Sequence, residues 1–220
     1  MELKQIQLND QMISYILIVK NVKYCKIKIV QGQLQVIVHR YISIHEIENM
    51  IQQHKQEILQ LLSSYKAKYS YQDNGYIYLF NQRLKIVLDD QNKYDVKIQG
   101  DQLFVYHQDI EYCVEVFLGQ QLKQYCQVAF PRILKDFDLT MPQVSIKRYQ
   151  SKWGSCQPNK NMVRLNLALA HLDYDLIDYV IIHELCHFYE LNHSHRFYEQ
   201  VKLRCPNYKV LQKRLKGEQI

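Results

Sequence analysis

The sequence lacks the marks of several large protein classes. No apolar run approaches the roughly 18 to 20 residues of a membrane-spanning helix. The most apolar stretch near the start, Met12 to Val19, is too short for a secretory leader and has no small-residue cleavage site. A cytoplasmic chain with no membrane partner is expected. The six cysteines, Cys25, Cys113, Cys126, Cys156, Cys186 and Cys205, form neither a CxxC pair nor a dense framework. That excludes a disulfide scaffold and predicts free, mostly buried thiols. No run of about five like charges and no nucleic-acid-binding signature occurs. A P-loop is absent too, as are clustered carboxylates of the kind phosphate chemistry recruits to hold magnesium.

What is present is an ordinary globular composition. Of 220 residues, 47% are apolar and 23% charged. That is enough to bury a core in one large domain or two small ones without staples. The net charge of +6 favours acidic partners, nucleic acid among them, only weakly.

The residue pattern predicts an α+β fold. Three short strands come first, Gln11 to Lys20, Tyr24 to Val30 and Gln33 to His39, the last two joined through Gln31-Gly32. Ser43 then caps a helix from Ile44 to about Tyr69, in which Ile44, Ile47, Ile51, Ile58 and Leu62 recur at helical spacing. After a turn over 71–75, Tyr76 to Phe80, Arg83 to Leu88, Tyr94 to Ile98 and Gln102 to Tyr106 read as a β-meander. A long helix from Asp109 to Phe137, kinked at Pro131, leads into the final third. There, strands are expected over Val144 to Tyr149, Lys152 to Cys156 and Met162 to Leu167. Asp173 caps a helix reaching about Glu190, a second helix runs from Ser194 to Arg204, and a short one ends near Lys216. The expected division is a β-rich region at 1–108 containing one long helix, and a catalytic unit at 109–220 whose small sheet packs on the helix that Asp173 caps.

That helix carries His183-Glu184-Leu185-Cys186-His187. Imidazoles four residues apart sit about 40° apart around a helix, one turn above the other, so both reach one ion about 2 Å from each nitrogen. Glu184 lies on the adjoining flank, placed to meet a water at that ion without ligating it. Leu176, Ile177, Tyr179, Val180, Ile181 and Ile182 predict a buried helix, in which two histidines and a glutamate are costly without a partner ion. The motif predicts a zinc-dependent hydrolase with Glu184 as general base. A catalytic zinc needs a third protein ligand and an open position. His193 has the spacing of HExxHxxGxxH sites, where a glycine turns the chain back to the ion. In this chain Glu190 stands at the glycine position, and Asn192 is the residue suited to a left-handed turn. Glu199, on the next helix, is the main rival third ligand, with His195 and Glu190 the other candidates.

With these motifs in view the chain resembles the YgjP-like family of zinc metallopeptidases, related to the SprT and WLM proteases. The resemblance rests on Lys152-Trp153-Gly154-Ser155-Cys156, Leu165-Asn166, Tyr179-Val180, His183 to His187, and Asn192-His193-Ser194 with Phe197. It is close from Ile146 to Leu215. It implies a zincin-like catalytic unit, zinc on His183, His187 and His193, Glu184 as acid/base, and a peptide or protein substrate. Lys152 and Tyr198 stand where the family commonly has Arg and Trp; charge and aromaticity are kept, although Lys is a poorer bidentate donor.

Around that core motif, Gly154, which would let a peptide backbone approach an edge strand, and Lys152 are the candidate substrate-binding residues. Arg148, Tyr149, Lys152 and Tyr189 are candidates for stabilising an oxyanion. Two other readings compete: a zinc hydrolase of another bond, such as a nucleotide phosphoanhydride, and a non-catalytic zinc-stabilised binding module. Glu184 argues against the module, because a structural zinc site has no use for that carboxylate.

Overall fold

The computed structural model describes residues 2–30, 33–64 and 69–218. The Gln31-Gly32 turn and residues 65–68 of the first expected helix lie outside the described residues. The chain forms two compact units, Met1–Ala67 and Lys68–Ile220. The boundary falls there rather than at 108/109 because Ile77, Leu84, Ile86 and Leu103 share one buried cluster with Val114, Leu118 and Leu122.

In the first unit, β1 (Glu2–Leu8) pairs along its whole length with β2 (Gln11–Val19), turning through Asn9 at φ 52°. The sequence pattern does not announce β1, since only Ile6 and Leu8 of it are buried. β3 (Lys26–Val30) and β4 (Gln33–Val38) complete a sheet of order β1-β2-β4-β3, with β2 and β4 parallel. One helix was expected next, and two are found: α1 (Ile44–Gln53) and α2 (Lys55–Ser64), parted at His54 with φ −103° and ψ 14°. Ser43 and Glu46 close a reciprocal capping box at the start of α1. Ile47, Ile51 and Ile58 still enter one core with Tyr15, Leu34 and Val36, so the break leaves the apolar face intact.

The second unit opens with β5 (Tyr76–Leu79), β6 (Gln82–Leu88), β7 (Val96–Gln99) and β8 (Gln102–Val105). These are two hairpins in the order β5-β6-β8-β7, with β6 and β8 parallel, not a meander. The connection after β6 folds over the end of β8, where Asp89 N and Gln91 N donate to Val105 O and Tyr106 O, and this carries β7 to the far edge. Both four-stranded sheets therefore share one strand order, an architectural repeat with no visible sequence repeat.

Helix α3 (Ile110–Ile133) follows, capped by Asp109. Pro131 sits in its last turn, which passes into a 3₁₀ turn, Leu134–Asp136. A third sheet, β10-β11-β9, is built from β9 (Gln143–Lys147), β10 (Gly154–Gln157) and β11 (Met162–Asn166). β9 is parallel to β11 and β10 antiparallel, so β10 is an edge. Three helices finish the chain: α4 (Tyr174–Cys186), which packs on β10, then α5 (His195–Arg204) and α6 (Tyr208–Lys216). Among the described residues no helix is long and apolar enough to cross a membrane.

Candidate metal centre

Asp173 starts α4 by accepting a hydrogen bond from Leu176 N at 3.2 Å. The helix is apolar on nearly every side and correspondingly buried. It ends at Cys186 rather than Glu190, with His187 as its C-cap. The chain then tightens: Phe188 N donates to Leu185 O, and Tyr189 N and Glu190 N donate to Cys186 O. The left-handed turn expected at Asn192 is not used; the last described residue with positive φ is Asn161. Ser194 caps α5, accepting from Phe197 N at 3.3 Å.

This path brings His183, His187 and His193 together, with one ring nitrogen of each within 4.8 Å of the others. His183 Nε2 and His193 Nε2 are 3.0 Å apart. Two nitrogens on a tetrahedral zinc, each about 2.05 Å from it, are roughly 3.3 Å apart, so the gap matches one ion. His187 Nδ1 donates to Glu190 O at 3.1 Å, which leaves its Nε2 as a free lone pair. Burial, with His187 and His193 close by, pushes the His183 pKa down to about 3, and burial lowers that of His187 as well. Both are therefore in the neutral form a metal requires. Phe197 is fully buried beneath the three rings, at 4.9, 4.6 and 4.9 Å from the centroids of His183, His187 and His193. His195 and Glu199 face each other at 3.4 Å, exposed and outside the cluster. Three converging imidazoles, two of them held neutral by burial, suit a zinc ion.

Glu184 is buried, and burial pushes its pKa up to about 8 despite the opposing charge of Lys152. Its carboxyl presses on Gly154, where any Cβ would lie 2.7 Å from Oε1. The close approach expected at Gly154 is thus made by the protein's own glutamate. Lys152, Gly154 and Cys156 line a cavity of about 500 Å³ together with the three histidines and Glu184. Lys152 Nζ lies 4.5 Å from the Tyr149 ring centroid. Arg148 instead pairs with Glu111 and Glu115 at 3.0 and 2.7 Å, and the Tyr189 hydroxyl accepts from Asp138 N at 3.0 Å. Of the four oxyanion candidates, Lys152 is the one lining the cavity. Burial and Glu184 push the Cys156 thiol up to about 12, and it stays outside the histidine group.

Two further residues support the site. Phe197 is the common floor of the three imidazoles, a role that only the folded path of α5 reveals. Asn166 donates to Tyr149 O at 3.0 Å and Lys152 O at 2.8 Å and accepts from Ala168 N at 3.1 Å. It ties the segment that enters β10 to the end of β11.

Comparison with curated proteins finds no match. Among solved structures, the metallopeptidase zymogen abylysin of Pyrococcus abyssi shares 19% identity over 41% of this chain and 91% of its own, with a TM-score of 0.39. The zymogen jannalysin of Methanocaldococcus jannaschii shares 25% identity over 40% of this chain and 94% of its own, with a TM-score of 0.33. The YgjP-like metallopeptidase domain matches residues 23–218. The chain belongs to the YgjP-like metallopeptidase family.

Proposed function

We propose that this protein is a zinc-dependent peptidase of zincin type, with the metal held by His183, His187 and His193 and Glu184 as general base. One observation carries the reading: three imidazoles converge beside the buried Glu184 carboxyl group, whose position Gly154 makes room for. An ion bound there supplies Lewis acidity towards a water and a carbonyl oxygen. The residues of this chain do the rest.

Substrate lies along β10, whose free edge offers backbone N–H and C=O groups to an extended peptide. Lys152, on the cavity wall, faces the negative charge that develops on the carbonyl oxygen. A Glu184 oxygen takes the proton of the water as its oxygen bonds to the carbonyl carbon, then delivers that proton to the leaving amine as the C–N bond breaks. Catalysis belongs to the part of the chain after residue 109, and all the groups named stand there. Peptides and proteins are the substrates, as for a metallopeptidase family.

Glu184→Gln tests the reading. The variant is expected to retain stoichiometric zinc and lose about 10³-fold or more in kcat on casein or a quenched peptide. Turnover equal to the parent's sinks the proposal. Nucleoside triphosphates assayed in parallel, with and without chelator, separate a peptidase from a phosphohydrolase.

A further inference from the structure

We infer that Tyr189 and Arg204 are positioning residues that hold the turn between His187 and His193, doing the work a glycine does in HExxHxxGxxH sites. The inference rests on the zinc reading above. Between the two histidines lie five residues, Phe188 to Asn192, without a glycine and with no positive φ. A turn built only from ordinary backbone conformations gains little from local preference, so contacts elsewhere must select it.

Those contacts converge on Tyr189. Its hydroxyl accepts from Asp138 N at 3.0 Å, and its ring stacks on Phe137 with centroids 6.1 Å apart and planes 15° apart. The Arg204 guanidinium covers both rings, 4.1 Å from the Phe137 centroid and 5.1 Å from that of Tyr189. Arg204 is itself fixed: Nε donates to Asp136 O at 2.9 Å, and Nη1 donates to Gln200 O and Oε1 at 3.0 and 2.7 Å. Phe137 is buried in the core of the unit. Tyr189 is thereby pinned to the segment after α3 and to the last residue of α5, while the first turn of α5 sets Phe197 beneath the imidazoles. The clamp includes none of the three ligands. It acts through the turn, by making His193 reach the others before any ion arrives.

Tyr189 is 41% exposed, so its removal leaves no core cavity and the test separates positioning from folding. Zinc affinity is measured by chelator competition on folded, metal-free parent and on Tyr189→Phe, Tyr189→Ala, Arg204→Ala and the double variant, alongside the thermal midpoint of each metal-free protein. Tyr189→Ala is expected to weaken zinc binding about 10- to 100-fold, within the range found for residues that orient metal ligands. Its metal-free midpoint stays within a few degrees of the parent's. Tyr189→Phe, which keeps the stack and loses the Asp138 bond, falls between. The double variant binds about as weakly as the weaker single, because the two side chains form one device. Variants that bind zinc as tightly as the parent overturn the inference and leave the proposed function standing. A parent that binds no zinc overturns both.

Discussion

At the scale of single residues, the site is a matter of burial. His183 and Glu184 lie side by side in sequence, and burial drives their pKa values in opposite directions, to about 3 and about 8 from ordinary values of 6.5 and 4.5. Each change favours the neutral form. The depressed His183 pKa gives stability that is present above pH 6.5 and lost as pH falls towards 3. The raised Glu184 pKa gives stability that is present below pH 4.5 and lost as pH rises towards 8. Between pH 4.5 and 6.5 the His183 and Glu184 slopes oppose each other, and the lowered His187 pKa adds to the His183 side. Metal-free protein, with chelator present, is therefore expected to be most stable near the ordinary histidine pKa of 6.5 in denaturant titrations, with a decline on either side. Glu184→Gln should remove the alkaline decline. Gly154 belongs to the same scale. A methyl group 2.7 Å from Glu184 Oε1 must displace the carboxylate. Gly154→Ala is expected to keep its zinc and lose about 10²-fold in kcat/KM, the scale of a misplacement near 1 Å.

At the scale of elements, the positions of the functional groups come from where helices and strands stop. α4 ends at Cys186 with His187 as its C-cap, and α5 starts two residues after His193, at His195. β10 begins at Gly154, held there by Asn166 through the carbonyls of Tyr149 and Lys152. Asn166→Ala removes the partner of those carbonyls and of Ala168 N. It is expected to cost about 3 kcal/mol of unfolding free energy, measured by chemical denaturation, and to raise KM, because Lys152 and the edge of β10 lose their support. The same scale shows where sequence patterns mislead. Helical spacing from Ile47 through Ile58 continues across His54, so periodicity alone reads α1 and α2 as one helix. The hairpins of β5 to β8 have clear local signals. Their crossed order depends on long-range bonds between the 89–91 connection and the end of β8, which no local pattern encodes.

At the scale of the whole molecule, the histidines, Glu184, Gly154 and their supports all lie in the unit Lys68–Ile220, which has its own buried core. A fragment spanning 68–220 is expected to fold and bind one zinc per chain with affinity within about tenfold of the full protein. Metal titration of the purified fragment measures this, and a fragment that folds without binding metal would show that residues 1–67 are needed to complete the centre.

The sequence alone carried the chemistry that depends on short spacing. Four residues along a helix set His183 and His187 on one face whatever the rest of the chain does, and Glu184 follows from its place between them. Spacing alone left His193, His195 and Glu199 as rival third ligands; the fold turns the chain back so that His193 meets the other two imidazoles, while His195 and Glu199 pair with each other at the surface. Contacts across large sequence separations, Glu184 on Gly154 and Tyr189 on Phe137, were decided only by tertiary structure. Their energies depend on which distant surfaces the core brings together, and residue type and spacing do not contain that information.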